Sequence, residues 1–167
     1  SAFLPTKQRV PAEFSNINTL FSNFKFGKAK LDLIKELELL IIDEVSMLRC
    51  DTLDAIDTIL RTLRKKMNEP FGGVQVLFIG DLFQLPPVVK EEEWAMLHDY
   101  YDTPFFFSAL VMKESNFRNI EFSHIYRQSD EKFIRLLNKV RNNEMLEDDF
   151  NMLNERYQPE VVTELED

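Results

Sequence analysis

The chain has 167 residues, of which 44% are hydrophobic and 29% charged, the composition of one globular domain with a core of its own. Its two histidines and single cysteine, Cys50, exclude an intramolecular disulfide framework, argue against a zinc site and favour a reducing, cytoplasmic location. The net charge of −9 excludes the strongly basic balance of a free-standing nucleic-acid binder, although residues 144–167, with nine acids and one base, hold most of it.

The first 30 residues have no sustained hydrophobic period and predict an irregular, partly packed segment. They interleave phenylalanines with lysines, which are the ingredients of a groove for single-stranded nucleic acid. Packing in the core is the favoured role for most of these rings, and Phe3 is kept as a candidate DNA contact. Residues 31–143 are expected to form the folded core, followed by an acidic helical tail over residues 144–167.

The first half of the core predicts a helix, a strand and a second helix. Residues 31–37 form the short helix, and residues 38–43 are a continuous apolar run ending in acids, as in a strand buried on both faces. Asp51 or Thr52 is the expected cap of the next helix, which ends at the turn formed by residues 70–73. Its apolar positions recur at helical spacing: Leu53, Ile56, Leu60, Leu63 and Met67.

The second half continues the alternation of strands and helices. Residues 74–79 predict a buried strand, and Ser129 is the expected cap of a strong amphipathic helix. The remaining expected elements are a helix over 91–100, a short strand or strand edge at 105–107, a third strand over 119–125 and a final helix over 148–156. Such alternation predicts an α/β fold, with a parallel sheet and helices on both faces.

Two adjacent carboxylates end the first strand, in the sequence LLIIDEVSM. The carboxyl ends of parallel strands form the ligand-binding edge of such a sheet. ATP hydrolysis needs one carboxylate to hold Mg²⁺, usually through water, and a group that orients and deprotonates the attacking water. Asp43 suits the first role and Glu44 the second, whereas an exposed acidic junction without function is the competing interpretation.

The second strand ends in GDLFQLPPV, at the same edge of the predicted sheet. Gly80 permits a tight turn, and the amide of Gln84 can sense a γ-phosphate by hydrogen bonding without adding charge. A proline-rich connection without function is the alternative, but it does not explain polar groups at both strand ends. A third candidate, Arg127, follows the third predicted strand in the sequence HIYRQ and offers an always-charged donor for phosphate.

Taken together and in this order, DEVSM, GDLFQLPPV and YRQ resemble the second, third and fourth motifs of the PIF family of superfamily-one helicases, which are related to RecD. The resemblance covers roughly residues 31–157. It implies a partial RecA-like P-loop NTPase domain and ATP-dependent unwinding of DNA in the 5′ to 3′ direction. By residue, it implies that Asp43 binds Mg²⁺, Glu44 activates water, Gln84 senses the γ-phosphate and Arg127 acts as an arginine finger.

The same family requires a G-x-x-x-x-G-K-[ST] loop that holds the phosphates, and the chain has no such pattern. We therefore expect a piece of a larger helicase, or a natural remnant, that binds ATP weakly and hydrolyses it negligibly. DNA binding by the isolated chain is expected to be weak or absent, with Phe83 and Pro86 as further candidate contacts. The alternatives are another RecA-like or AAA+ NTPase, and an inactive scaffold that binds a partner protein.

Overall fold

The computed structural model describes residues 27–122, 124–126, 128–155 and 157. The helices and strands, in chain order, are α1 (Lys28–Glu36), β1 (Leu39–Ile42), α2 (Cys50–Arg64), β2 (Gln75–Phe78), α3 (Glu91–Leu97), α4 (Leu110–Glu114), α5 (Glu131–Asn142) and α6 (Glu147–Asn154). Short 3₁₀ turns lie at Val45–Met47, Pro70–Gly73 and Phe106–Ser108. The chain divides into two compact units, one up to Arg118 and one from Asn119 onward. Within the described ranges, no helix is both long and apolar enough to cross a membrane.

The two strands of the first unit pair in parallel, as the sequence predicts. Leu39 lies opposite Gln75 and Ile42 opposite Phe78, so the two strands run in register over their whole length. Alternate side chains of both strands pack against the core: Leu40, Ile42, Val76 and Phe78. Because β1 and β2 run the same way, their carboxyl ends lie side by side.

The opposite face of this sheet is apolar and exposed. Leu39, Ile41, Leu77 and Ile79 are each between 43% and 53% exposed. Parallel sheets ordinarily have both faces covered. The expectation that each strand is buried on both faces therefore holds for one face only in the described residues, and the other presents a strip of branched aliphatic side chains.

Helix α2 supplies the centre of the core. Its residues Leu53 and Leu60 are fully or almost fully buried, and they pack in one cluster with Ile34, Tyr101 and Val111. The repeat of apolar residues predicted this face. Met67, the last residue of the predicted repeat, is half exposed and lies beyond the helix, which ends at Arg64.

The predicted cap of α2, Asp51 or Thr52, is wrong by two or three residues. The helix begins at Cys50, with Arg49 as the residue before it, and no side chain caps it. Asp51 lies inside the first turn, where its carboxylate binds the guanidinium of Arg49 at 2.9 and 2.8 Å. A buried, bidentate ion pair of this kind competes successfully with a bond to a backbone N–H.

The end of α2 is joined to α1 and to the turn that precedes β2. Arg64 donates to the carbonyl oxygens of Lys35 at 2.6 Å, Leu37 at 2.8 Å and Gly72 at 2.8 Å. It thereby satisfies carbonyls that the end of α1 leaves without helical partners. Gly72 has a φ of +59°, and a Cβ there would lie 2.6 Å from the carbonyl oxygen of Leu60, so only glycine fits this turn.

Cys50, the only cysteine of the chain, is buried in the core and is a free thiol. Burial and the adjacent charge of Asp51 raise its pKa from 9.0 to about 12. At pH 8 the thiolate fraction is then about a thousandfold below that of an ordinary cysteine, and the thiolate is the reactive form. We expect an aromatic disulfide reagent to label Cys50 at least about a thousandfold more slowly in the native chain than in the urea-unfolded chain. Equal labelling rates would contradict the burial of this thiol.

Several boundaries in the second half of the first unit differ from the predictions. Helix α3 stops at Leu97 rather than residue 100. The predicted short strand at residues 105–107 is wrong, because Phe105 makes one isolated antiparallel bridge to Arg49 and Phe106–Ser108 is a 3₁₀ turn. The bridge and the bond from the Cys50 N–H to the Pro104 carbonyl, at 3.0 Å, attach this segment to the start of α2.

In the second unit the predicted third strand is wrong for the residues described. Residues 119–122 and 124–125 have no strand structure, and Ile120 and Phe122 are 77% and 90% exposed. A strand requires a pairing partner, and none of the described residues supplies one. The cap of α5 is Asp130 rather than Ser129, because its carboxylate accepts from the backbone N–H groups of residues 132 and 133.

Helix α6 begins at Glu147, one residue before the predicted start, and ends at Asn154. Lys139 of α5 binds Asp149 of α6 with both carboxylate oxygens at 2.8 Å. This ion pair lowers the pKa of Asp149 and joins the two helices. Phe3 and the rest of residues 1–26 lie outside the described residues, and the predicted boundaries at residues 30 and 143 remain predictions.

Candidate active site

The carboxyl ends of β1 and β2 are held together by backbone hydrogen bonds that extend beyond the strands. The N–H of Ile79 donates to the carbonyl of Ile42 at 2.9 Å, and the N–H of Val45 donates to the carbonyl of Ile79 at 3.0 Å. Asp43 and Glu44 lie between these two bonds. The carboxylates that the sequence singles out therefore leave the sheet beside the start of the second loop.

Glu44 has an unusual backbone conformation for a residue with a side chain. Its φ and ψ are 51° and 44°, in the left-handed helical region, which costs about 1 kcal/mol or more for a residue other than glycine. Its N–H donates to Oδ1 of Asp43 at 2.9 Å. The turn thus directs two neighbouring carboxylates away from the strand, and both residues are exposed. Strain kept at a strand end is typical of functional sites.

Gly80 allows the two loops to approach each other closely. A Cβ on this residue would lie 2.9 Å from the backbone nitrogen of Val45 and 3.1 Å from its Cγ1. The sequence predicted a glycine required by a tight turn. The structure instead requires it for contact between the segment after Glu44 and the segment before Asp81, because any side chain would push the two loops apart.

Residues 80–90, termed here the Gln84 loop, begin with a turn built on Asp81. Its carboxylate accepts from the N–H of Phe83 at 3.1 Å, and its carbonyl accepts from the N–H of Gln84 at 3.1 Å. The side-chain amide of Gln84 lies 3.5 Å from the Asp81 carboxylate. This turn fixes the backbone at Gln84 while leaving the amide group exposed.

The exposed part of the Gln84 loop is apolar. Phe83 is 66% exposed and Leu85 68%, and Pro86 is also exposed, whereas Pro87 is buried. An exposed ring beside a rigid proline pair offers a surface on which a nucleic-acid base can stack. Both candidate DNA contacts in the loop, Phe83 and Pro86, are therefore accessible.

Arg127, the third predicted phosphate contact, lies outside the described residues. Its neighbour Tyr126 is 90% exposed, and the rings of His124 and Tyr126 lie edge to face at 4.2 Å between centroids. The role of Arg127 stays a prediction.

An ion-pair network, buried at Arg49 and Asp51, connects the segment after Glu44 to the start of α3. Arg49 is 7% exposed; besides Asp51, its guanidinium donates to Oε2 of Glu93 at 2.7 Å. Burial disfavours the charged guanidinium, but the hydrogen bonds and charges of Asp51 and Glu93 outweigh it and raise the pKa of Arg49. Nothing in the sequence singles out Arg49, because an arginine two residues before an aspartate is also a common surface pattern, and Glu93 follows 44 positions later.

Ser46 is the other buried polar residue in this region. It is 1% exposed, and its hydroxyl has no hydrogen-bond partner among the described residues. A buried hydroxyl without a partner is costly, so such groups in native proteins ordinarily have one. Ser46 belongs to the 3₁₀ turn that directly follows Glu44.

The chemistry of the exposed groups fits a magnesium nucleotide. In the part of the chain that the structure describes, neither Asp43 nor Glu44 forms a salt bridge, and no three His, Cys, Asp or Glu side chains cluster as in a site formed by protein ligands alone. Mg²⁺ in nucleotide sites is typically held by one or two carboxylates, waters and the phosphates, so it does not need such a cluster. Asp43 offers the oxygen ligand, and Glu44 lies beside it.

Comparisons with known proteins agree on a single family. The sequence profile of the PIF1-like helicase family matches residues 5–150. The ATP-dependent DNA helicase RRM3 of Saccharomyces cerevisiae is 35% identical over 132 residues, which cover 79% of this chain and 17% of that protein. The ATP-dependent DNA helicase Pif1 of Campylobacter jejuni is 36% identical over 118 residues, or 70% of this chain and 24% of that protein.

Solved structures give the same result. The Pif1 helicase from Bacteroides, in complex with ADP-AlF3 and single-stranded DNA, superposes with a TM-score of 0.78 at 47% identity, covering 83% of this chain and 32% of that one. The Pif1 helicase from Candida albicans superposes with a TM-score of 0.72 at 32% identity, covering 93% of this chain and 32% of that one. The chain therefore spans about a third of these structures and less of the curated relatives.

Proposed function

Because the chain belongs to the PIF1-like helicase family, we propose that it supplies the magnesium- and water-positioning half of the ATPase site of an ATP-dependent DNA helicase. One observation carries this proposal. The turn that presents Asp43 and Glu44 and the loop that presents Gln84 are in direct contact at the carboxyl edge of parallel strands, through Val45 and Gly80. That edge is where sheets of this class bind ligands.

The residues of this edge have distinct roles in the proposed reaction. Asp43 would hold the magnesium ion, which would neutralise charge on the phosphates. Glu44 accepts a proton from the attacking water and orients it. Gln84 donates its amide hydrogens to a γ-phosphate oxygen, and loss of that phosphate removes the bond. Arg127 supplies positive charge to the phosphates, as an arginine finger.

The exposed surface of the Gln84 loop links the nucleotide to DNA in this proposal. Gln84 lies between Phe83 and Pro86, the two accessible candidates for contact with a base. Movement of the amide on hydrolysis therefore moves a potential stacking surface. The Pif1 helicase from Bacteroides, solved in complex with both ADP-AlF3 and single-stranded DNA, supports this pairing of nucleotide and DNA.

The rest of the helicase is required for turnover. The exposed aliphatic strip of the sheet supports a role inside a larger ATPase domain, because such a face is ordinarily covered. The chain also lacks the glycine- and lysine-containing pattern that holds phosphates. The single cysteine, buried as a protonated thiol, is compatible with the cytoplasmic location that we propose.

The test uses a helicase that carries this chain together with a nucleotide-binding loop. Gln84→Ala is expected to lower DNA-stimulated ATP hydrolysis about 10- to 100-fold, because a hydrogen bond to developing phosphate charge is lost. Gln75→Ala is the matched control. Gln75 is also an exposed amide, but it lies at the amino end of β2, the strand that leads to the Gln84 loop. ATP turnover is measured with and without oligo-dT.

Three outcomes distinguish the possible functions. Magnesium-dependent hydrolysis that DNA stimulates and Gln84→Ala reduces supports the helicase. Hydrolysis without any response to DNA favours another RecA-like NTPase. The third outcome is that the unsubstituted helicase hydrolyses ATP no faster than the 167-residue chain alone. This result favours an inactive scaffold and overturns the proposal.

A further inference from the structure

We infer that Arg49 is a positioning residue for the Gln84 loop. Residues 43–49 contact the start of this loop, called here its near end, and Arg49 attaches the other end, its far end, to the same segment. The near end is Gly80, in contact with Val45. The far end is the start of α3, where Glu93 binds Arg49 at 2.7 Å. Val45 is the first residue of the 3₁₀ turn that directly follows Glu44, and Arg49 lies two residues after the end of that turn. Both ends of the loop are thus attached to the segment that presents the two carboxylates.

Glu93 connects the ion pair to the backbone of the loop. It lies in the first turn of α3, and its Oε2 also accepts from the N–H of Lys90, the last residue of the loop, at 3.3 Å. One carboxylate oxygen therefore binds both Arg49 and the end of the loop. If Arg49 moved, the start of α3 would lose this attachment. The Gln84 loop would then be fixed at one end only, and Gln84 could move further.

The geometry of Arg49 requires an arginine. Its guanidinium binds both oxygens of Asp51 with Nε and Nη2, and Nη1 remains for Glu93. Lysine places one ammonium group at the end of a flexible chain and cannot hold two carboxylates in fixed directions. Because the Arg49 and Asp51 side chains are only 8% and 3% exposed, solvent does not replace the lost bonds easily.

This inference rests on the proposed function for the role of Gln84. The attachment of the loop by Arg49 and Glu93 can be tested without that role. Arg49→Lys in the 167-residue chain is expected to speed amide hydrogen exchange over residues 81–90 about tenfold, the effect of losing a charge-assisted hydrogen bond on local opening. Trp94, the only tryptophan, follows Glu93 and packs against the core, so its emission reports on the start of α3.

Arg61→Lys is the matched control. Arg61 also binds two carboxylates, Asp57 at 2.8 Å through Nε and Glu114 at 2.7 Å through Nη2, and its side chain is 14% exposed. It joins α2 to α4, away from the Gln84 loop. We expect Arg61→Lys to lower the melting temperature while leaving exchange over residues 81–90 unchanged. Equal exchange of that loop in the two variants would overturn the inference.

Two further measurements cover the remaining outcomes. If Arg49→Lys does not fold, Glu93→Gln keeps the side-chain shape, removes the charge and should loosen the same loop. In the complete helicase, Arg49→Lys is expected to lower DNA-stimulated kcat about tenfold with the KM for ATP within about twofold, whereas Arg61→Lys alters neither. A helicase without any ATPase activity would overturn the proposed function, while the exchange comparison would still decide the role of Arg49.

Discussion

Replacing Glu44 with glutamine in a helicase that carries this chain is expected to lower ATP turnover about 10²- to 10⁴-fold, the usual contribution of a positioned general base. Glutamine has the same shape and keeps the same left-handed backbone cost at this position, so the turn should be unchanged. It cannot accept a proton from water. Nucleotide affinity should therefore change only a few fold, because binding does not require that proton transfer.

Single-turnover hydrolysis and the nucleotide Kd separate these two effects. Glu38→Gln is the matched control, because Glu38 is also exposed but lies at the amino end of β1, the opposite edge of the sheet. It should retain full turnover. If Glu44→Gln kept more than about a tenth of the turnover, or if Glu38→Gln lost as much, Glu44 would not be the base.

The parts of the fold that sequence predicts well are those set by local patterns. The apolar repeat of α2 predicts the face on which Leu53 and Leu60 are buried, because helical spacing places these residues on one side. The apolar runs of β1 and β2 predict strands, and their alternation with helices predicts a parallel pair. These features depend on neighbours a few residues apart in the chain.

Features set by distant partners could not be predicted in the same way. The third strand was expected from its apolar residues, but Phe122 and Ile120 have no strand partner among the described residues. Asp51 does not cap α2, because its carboxylate binds Arg49, which also binds Glu93. Which residue a side chain binds across 44 positions is decided by packing, which no local pattern encodes.

The candidate site shows the same division. Asp43, Glu44 and Gln84 are recognisable because they follow buried strands, and parallel strands bring their carboxyl ends together. The contact between the two loops is harder to predict from the sequence. Gly80 is required there because a side chain would collide with Val45, and not because of its φ. Arg49, which binds Asp51 and Glu93, is not recognisable from the sequence alone.

Asp54 is a half-buried residue of α2 whose loss should destabilise the chain strongly. Its carboxylate accepts three hydrogen bonds at 2.9 Å, from the Tyr101 hydroxyl and from the N–H groups of Leu110 and Val111 at the start of α4. Asp54→Ala leaves the Tyr101 hydroxyl, on a residue 2% exposed, and the N–H of Val111 without this acceptor. We expect a loss of about 3 kcal/mol or more in the free energy of unfolding.

Urea unfolding with a matched set of variants would measure this loss. Asp32→Ala is the control, because Asp32 is half exposed and its ion pair with Lys35, at 3.6 Å, should contribute at most about 0.5 kcal/mol. Tyr101→Phe removes the buried donor together with its need for a partner. It should therefore recover part of the stability when combined with Asp54→Ala, because one unpaired polar group disappears. A loss no larger for Asp54→Ala than for Asp32→Ala would mean that α4 is held by its apolar contacts, chiefly Val111, and not by the carboxylate that receives its first N–H groups.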